Sequence, residues 1–243
     1  MKVLRLLSLV LVTGLDAQIL TNGNFEQDGF APLKIQGAAP DSLTVVPSPV
    51  RSGRHAGRSL LRRSDPLVSN GLRAEFVDHT PVPLGQVRWY ALSIYADQAF
   101  VVPVSVDGIL FQFHQHAKTG SPVLAFRAVS HTWKITTDTG GKRRTLAVLP
   151  FEKDQWTDWV VRVKWASDAT GEWTIWKNGV QVVHEANVAT TYATETAGPY
   201  AKFGQYHTVN DTVQNSLCFD EYKHAGPDST YADVAPGGAA PRN

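Results

Sequence analysis

The segment GEWTIWKNGVQVVHE, residues 171–185, sets Asn178-Gly179 between two runs of aromatic, β-branched and apolar residues. A two-residue hairpin turn needs positive φ at its central positions, and Asn-Gly meets that need at little steric cost. The pair predicts two antiparallel strands joined at 178–179. Outward from it, the same strand signal recurs. LRAEF (72–76), RWYALSIYA (88–96), GILFQFH (108–114), PVLAFRAV (122–129) and WVVRVKW (159–165) alternate or carry β-branched and aromatic residues. TGS, TDTGGK and SDATGE supply turns between such runs. No stretch longer than about ten residues keeps a helical period. The expected fold is an all-β jelly-roll sandwich, concanavalin-like, of two antiparallel sheets. One domain is expected over residues 18–226, with a Pro-, Gly- and Ala-rich tail at 227–243 that should fray.

With 243 residues, 43% hydrophobic and 19% charged, the chain can bury a large core, and collagen-like or disordered states are excluded. It opens MKVLRLLSLVLVTGLDAQ: Lys2 and Arg5, an apolar run from Leu6 to Leu15, then the small Ala17. That is a secretory signal pattern, too short to span a bilayer, so residues 1–17 are expected to direct export. A protein secreted as a monomer, away from membranes, is the expectation. Cys218 is the only cysteine, so no intramolecular disulfide can form and the core must carry stability.

The whole chain has 23 Lys and Arg against 22 Asp and Glu; without Lys2, Arg5 and Asp16 the balance is 21 against 21. Net charge therefore names no partner. The run RSGRHAGRSLLRR (51–63) concentrates Arg51, Arg54, Arg58, Arg62 and Arg63. It reads as a solvated edge or a polyanion surface; nucleic acid is not expected, because no recognition motif accompanies it.

Strand alternation then sorts side chains by face. In ILFQFHQH (109–116), Ile109, Phe111 and Phe113 share one face, which reads as core; Leu110, Gln112, His114 and His116 share the other. In LRAEF, Leu72, Ala74 and Phe76 turn inward while Arg73 and Glu75 turn out, a pair that on a strand often makes only a weak surface bridge. In YAKFGQYH (200–207), Ala201 and Phe203 turn inward, and Tyr200, Lys202, Gly204 and Tyr206 turn out. Together these faces offer cations, an amide, imidazoles and phenols.

Several chemistries lack their parts. Glycoside hydrolysis needs two facing carboxylates, and the acids of FEKDQW and FDEY lie outside these three strands. His114 and His116 could give zinc two ligands, but nothing at a helpful spacing completes the set. No nucleophile elbow marks a serine triad. The remaining groups suit a carboxylate-bearing substrate. An amide and an arginine can neutralise a carboxylate and acidify the adjacent C–H; an imidazole or phenol can take that proton, and a phenol can protonate a leaving oxygen.

LRAEF, RWYALSIYA, ILFQFHQ with GSPVLAF, QWTDWVVRVKW, GEWTIWKNGV and YAKFGQY stand in the order found in jelly-roll polysaccharide lyases. The chain resembles the group of glucuronan lyases and heparin lyase I-like enzymes, with alginate lyases as more distant relatives, from about residue 50 to residue 222. The resemblance implies β-elimination on a 4-linked uronic acid polymer, glucuronan first. It implies that Gln112, His114, Lys202 and Tyr206 line the cleft and that Arg73 is the arginine of the R-x-E motif. Arg73 and Gln112 would neutralise the C6 carboxylate. Tyr206 would be the acid to O4, with Lys202 nearby, and His114 either the C5 base or the group that tunes Tyr206. Ala74, where the alginate lyase version carries a hydroxyl residue, and His207 depart from the pattern and leave the sugar open. NGNFEQDG and CFDEY resemble paired ends that hold structural calcium in jelly-roll domains, with Glu26 and Asp220 as oxygen ligands. A non-catalytic carbohydrate-binding module and a glycoside hydrolase of related architecture are the alternatives.

Overall fold

The computed structural model describes residues 17–27, 29–104, 108–116, 120–207, 214–238 and 240–242. The expected signal peptide, Ala17 apart, lies outside them. Strands are numbered in chain order. One antiparallel sheet runs β10 (Arg144–Pro150), β9 (Thr132–Thr137), β8 (Leu124–Val129), β7 (Gly108–His114), β14 (Tyr200–His207), β5 (Leu72–Asp78), β2 (Lys34–Gly37). The other runs β13 (Val180–Val188), β12 (Gly171–Lys177), β11 (Gln155–Lys164), β6 (Val87–Ala96), β15 (Gln214–Ala225), β4 (Ala56–Arg62), β3 (Leu43–Val46), and β1 (Ile19–Gly23) also pairs with β15. Late strands thus insert between early ones: β14 lies between β5 and β7, and β15 between β4 and β6. This is the two-sheet jelly roll that the strand pattern predicts.

The hairpin at 178–179 forms as its sequence requires, with Asn178 at φ 49° and Gly179 at φ 84°. Between the sheets, Phe76, Phe111, Phe113 and Phe126 meet Tyr90, Trp159, Trp173 and Phe219 in one continuous core. Phe126 packs edge-on to Trp159 with ring centroids 4.8 Å apart, a favoured aromatic geometry.

A polar network ties the sheets together inside that core. Asp78, at the end of β5, accepts from Tyr222 Oη at 2.7 Å and His224 Nδ1 at 2.9 Å on β15. Its other oxygen takes Thr21 Oγ1 and the Thr80 amide. Burial alone would raise this carboxyl, but the bonds from His224 and Thr80 outweigh it and hold it down at about 2.

Two expectations need correction. Strict alternation puts Ile109 in the core and Leu110 outside, but a bulge between Ile109 and Phe111 breaks the β7–β8 register. Leu110 is a core residue, and Ile109 faces the outer side with Gln112 and His114. A bulge adds one residue to one strand, which reverses the facing of everything beyond it. Part of the expected tail packs instead of fraying. Residues Tyr231–Val234 form one helical turn, α1, and Tyr231, Val234 and Ala235 pack on Trp89, Ala91 and Val160 on the outer face of the eight-stranded sheet. Asp233 accepts from both the amide and the hydroxyl of Thr230, which fixes the start of the turn.

Candidate active site

The three strands that carry the candidate groups are neighbours, in the order β7, β14, β5. Arg73 from β5, Gln112 and His114 from β7, and Tyr206 from β14 line one cleft of about 260 Å³ on the outer face of their sheet. Two further arginines complete its wall: Arg127 on β8 and Arg143 in the loop before β10. Neither is assigned by the sequence reading. Arg127 was accessible to it, since Leu124, Phe126 and Ala128 alternate inward and leave position 127 outside; Arg143 comes from a loop, which alternation cannot place. Among the described residues, no Asp or Glu lines this cleft.

Tyr206 lies beneath the Arg73 guanidinium, whose central carbon is 4.6 Å from the ring centroid. The ring fits because residue 71 is glycine: a Cβ there would stand 2.4 Å from Tyr206 Cε2. His114 is paired across β14 with Tyr200, ring centroids 5.4 Å apart. His114 Nδ1 lies 2.8 Å from the Gln115 carbonyl, which can only accept, so Nδ1 carries the proton and Nε2 holds the basic lone pair. Burial, opposed by that hydrogen bond, pushes the imidazole below its ordinary pKa and keeps it neutral near pH 7. His116 does not join the cleft; its Nε2 lies 3.0 Å from the Gly198 carbonyl.

Lys202 sits under the cleft floor, 2% exposed. Its ammonium donates to Glu75 Oε2 at 2.5 Å and to Gln36 Oε1 at 2.8 Å. Glu75, also 2% exposed, takes Gln112 Nε2 at 2.5 Å on its other oxygen, and Arg73 Nη1 lies 3.4 Å away. The Arg73–Glu75 pair expected at the surface is therefore part of a buried network, where losing one partner strands a charge.

Glu26 and Asp220 both reach the loop that begins the arginine run. Glu26 Oε1 accepts the amides of Arg54 and His55 at 2.8 and 2.7 Å. Asp220 Oδ2 accepts those of Arg51 and Ser52 at 2.8 and 3.2 Å. Burial raises the Asp220 carboxyl to about 6 despite these bonds. Three arginines of the run turn to carboxylates: Arg51 makes a forked pair with Asp158, Arg62 pairs with Asp41, and Arg54 faces Glu26.

A polysaccharide lyase family model matches residues 17–223. The chain belongs to that family. As a polysaccharide lyase it acts on a polysaccharide, by eliminating a glycosidic oxygen rather than hydrolysing the bond. Solved structures share its fold at low identity. The endo-β-1,4-glucuronan lyase of the fungus Trichoderma reesei superposes with a TM-score of 0.72 at 19% identity, over 91% of this chain and 100% of that one. The catalytic domain of a glycoside hydrolase family 131 protein from Coprinopsis cinerea gives 0.60 at 17% identity, over 92% and 100%. A marine alginate lyase from Aplysia kurodai gives 0.58 at 10%, over 88% and 100%. No curated protein matches the chain.

Proposed function

We propose that this polysaccharide lyase cleaves a 4-linked uronic acid polymer by β-elimination, with glucuronan as the first substrate to test. The observation that carries the reading is the cleft wall: Arg73, Arg127 and Arg143 line it, and among the described residues no carboxylate does. Such a wall favours a polyanion and disfavours hydrolysis, which needs two facing carboxyl groups. Arg73 and Gln112 hold the C6 carboxylate and stabilise the charge that develops on it as C5 loses its proton. Nε2 of neutral His114 takes H5. The C5 electron pair forms the C4–C5 double bond, the C4–O4 bond breaks, and Tyr206 gives its phenolic proton to O4. In glucuronate H5 and O4 lie on one side of the ring, so this base and acid act from the same face. In guluronate they lie on opposite sides, which makes alginate rich in that sugar the harder substrate.

Incubation with glucuronan, alginate and heparin-type polymers, followed by ultraviolet absorbance of the new double bond, tests the reading. Absorbance should rise on glucuronan. New reducing ends without absorbance would favour a hydrolase, and binding without either would favour a carbohydrate-binding module.

We also propose export through the leader at 1–17, action as a monomer, and a structural calcium ion at Glu26 and Asp220. Hard carboxylate oxygens suit that ion, and Glu26 Oε2 accepts neither of the loop amides that hold Oε1. Chelator should lower the melting temperature and calcium alone should restore it; an unchanged melting temperature removes the site.

A further inference from the structure

Glu75 is the acid that the proposed mechanism does not use. We propose that it is a positioning residue for Gln112: it fixes which end of the amide faces the floor and so aims the remaining Gln112 N–H at the substrate carboxylate. The proposal rests on the polyuronate reading above.

Three observations carry it. First, the orientation of the amide is forced. Lys202 has only donors to offer and holds Glu75 Oε2, so Oε1 is left to Gln112. Turning the amide over would set its carbonyl oxygen 2.5 Å from a carboxylate oxygen, two acceptors face to face. Second, the contact spans two strands. Glu75 is registered against Gly204 on β14, and Gln112 against Lys202 two residues away. Because Gly204 has no side chain, nothing on β14 stands between β5 and β7 at that row. Third, Gln112 lines the cleft while Glu75 does not, so Glu75 acts on substrate only through its neighbours.

The consequence is chemical. A glutamine amide presents an N–H or a C=O with equal ease until something chooses. Toward a uronate carboxylate the first attracts and the second repels, and among the described residues Glu75 makes the choice.

A mutant cycle tests this. Glu75→Gln, Gln112→Ala and the double variant are compared by kcat/KM on the polyuronate cleaved. Affinity for the same polymer is measured in a Tyr206→Phe background, where it is not consumed. Glu75→Gln should lower affinity and kcat/KM about ten- to a hundredfold, the worth of a hydrogen bond to a charged group. Added to Gln112→Ala it should cost no more than about threefold, because both act through one contact. A spectroscopic readout needs no activity: the Gln112 side-chain amide protons, identified by their loss in Gln112→Ala, should move in Glu75→Gln. Wild-type behaviour in Glu75→Gln, multiplying effects, or unmoved amide protons would each overturn the proposal. If Glu75→Gln does not fold, Glu75→Leu with Lys202→Met removes both buried charges and the acceptor that Gln112 uses, and is held to the same outcomes. A wild-type protein that binds polyuronate without cleaving it sinks the lyase assignment of this site, and the affinity cycle still decides Glu75. Binding to none of the polymers overturns both.

Discussion

In the proposed mechanism Tyr206 and His114 divide the proton transfers between them, and each makes a separate demand on experiment. Tyr206→Phe removes one hydroxyl and keeps the ring that packs under Arg73. The chemical step should slow by about two to four orders of magnitude, the usual worth of a positioned acid. Polymer affinity and melting temperature should hardly change, since Arg73 and Gln112 still face the carboxylate. Near-full activity in this variant would remove Tyr206 from the acid role. His114 must be neutral to accept H5, and burial pushes its pKa below the ordinary imidazole value of 6.5. The acid limb of kcat/KM should therefore lie below pH 6.5, because the base stays unprotonated further into acid. A limb at or above that value would assign it to another group.

At the scale of the strand, β14 depends on one residue. Gly204 has φ +144°, and a Cβ there would stand 2.1 Å from the Ala74 carbonyl oxygen and 2.7 Å from Glu75 Cα, both backbone atoms of β5. Backbone cannot rotate away as a side chain can. Gly204→Ala should cost about 3 kcal/mol or more in a urea unfolding titration, since it adds positive-φ strain to a clash; a loss under about 1 kcal/mol would show that β5 and β14 can part cheaply. The strands also mark what is legible in the sequence. Arg73, Gln112, His114 and Tyr206 can be read onto one face because β5, β7 and β14 alternate, and alternation is local. The bulge that sends Leu110 inward is set by pairing with β8, so no period within ILFQFH reveals it. Glu75 reads as a surface acid because alternation gives the face but not the depth. Its burial comes from Lys202 and Gln36, far away in sequence. The tail misleads through composition, since Pro, Gly and Ala around Tyr231 and Val234 hide two residues that find a hydrophobic seat.

For the molecule as a whole, stability in acid should report on Asp78. Its folded pKa of about 2 lies below the ordinary 3.8. A depressed carboxyl contributes stability that is fully present above the unfolded pKa and is lost as pH falls through the folded one. The window is therefore about pH 4 to 2, and the shift corresponds to roughly 2 kcal/mol. Melting temperature measured across that window should fall more steeply in wild type than in Asp78→Asn. The variant should also start lower at pH 7, because His224 and Tyr222 lose a charged acceptor. Equal slopes would place the acid sensitivity elsewhere.

The arginine wall of the cleft bears on turnover as well as capture. On the polyuronate proposed, elimination creates no new charge and removes none, so each fragment would leave with the carboxylate it brought. Arg73, Arg127 and Arg143 then attract product by the same field that attracted substrate. Ionic strength weakens both attractions, since added ions screen charge over about 10 Å at 0.1 M. Encounter slows while departure quickens. With release limiting, the rate at saturating polymer should climb with moderate salt even as kcat/KM declines. The Glu75–Lys202 pair beneath the floor, shut away from mobile ions, should hold its geometry throughout.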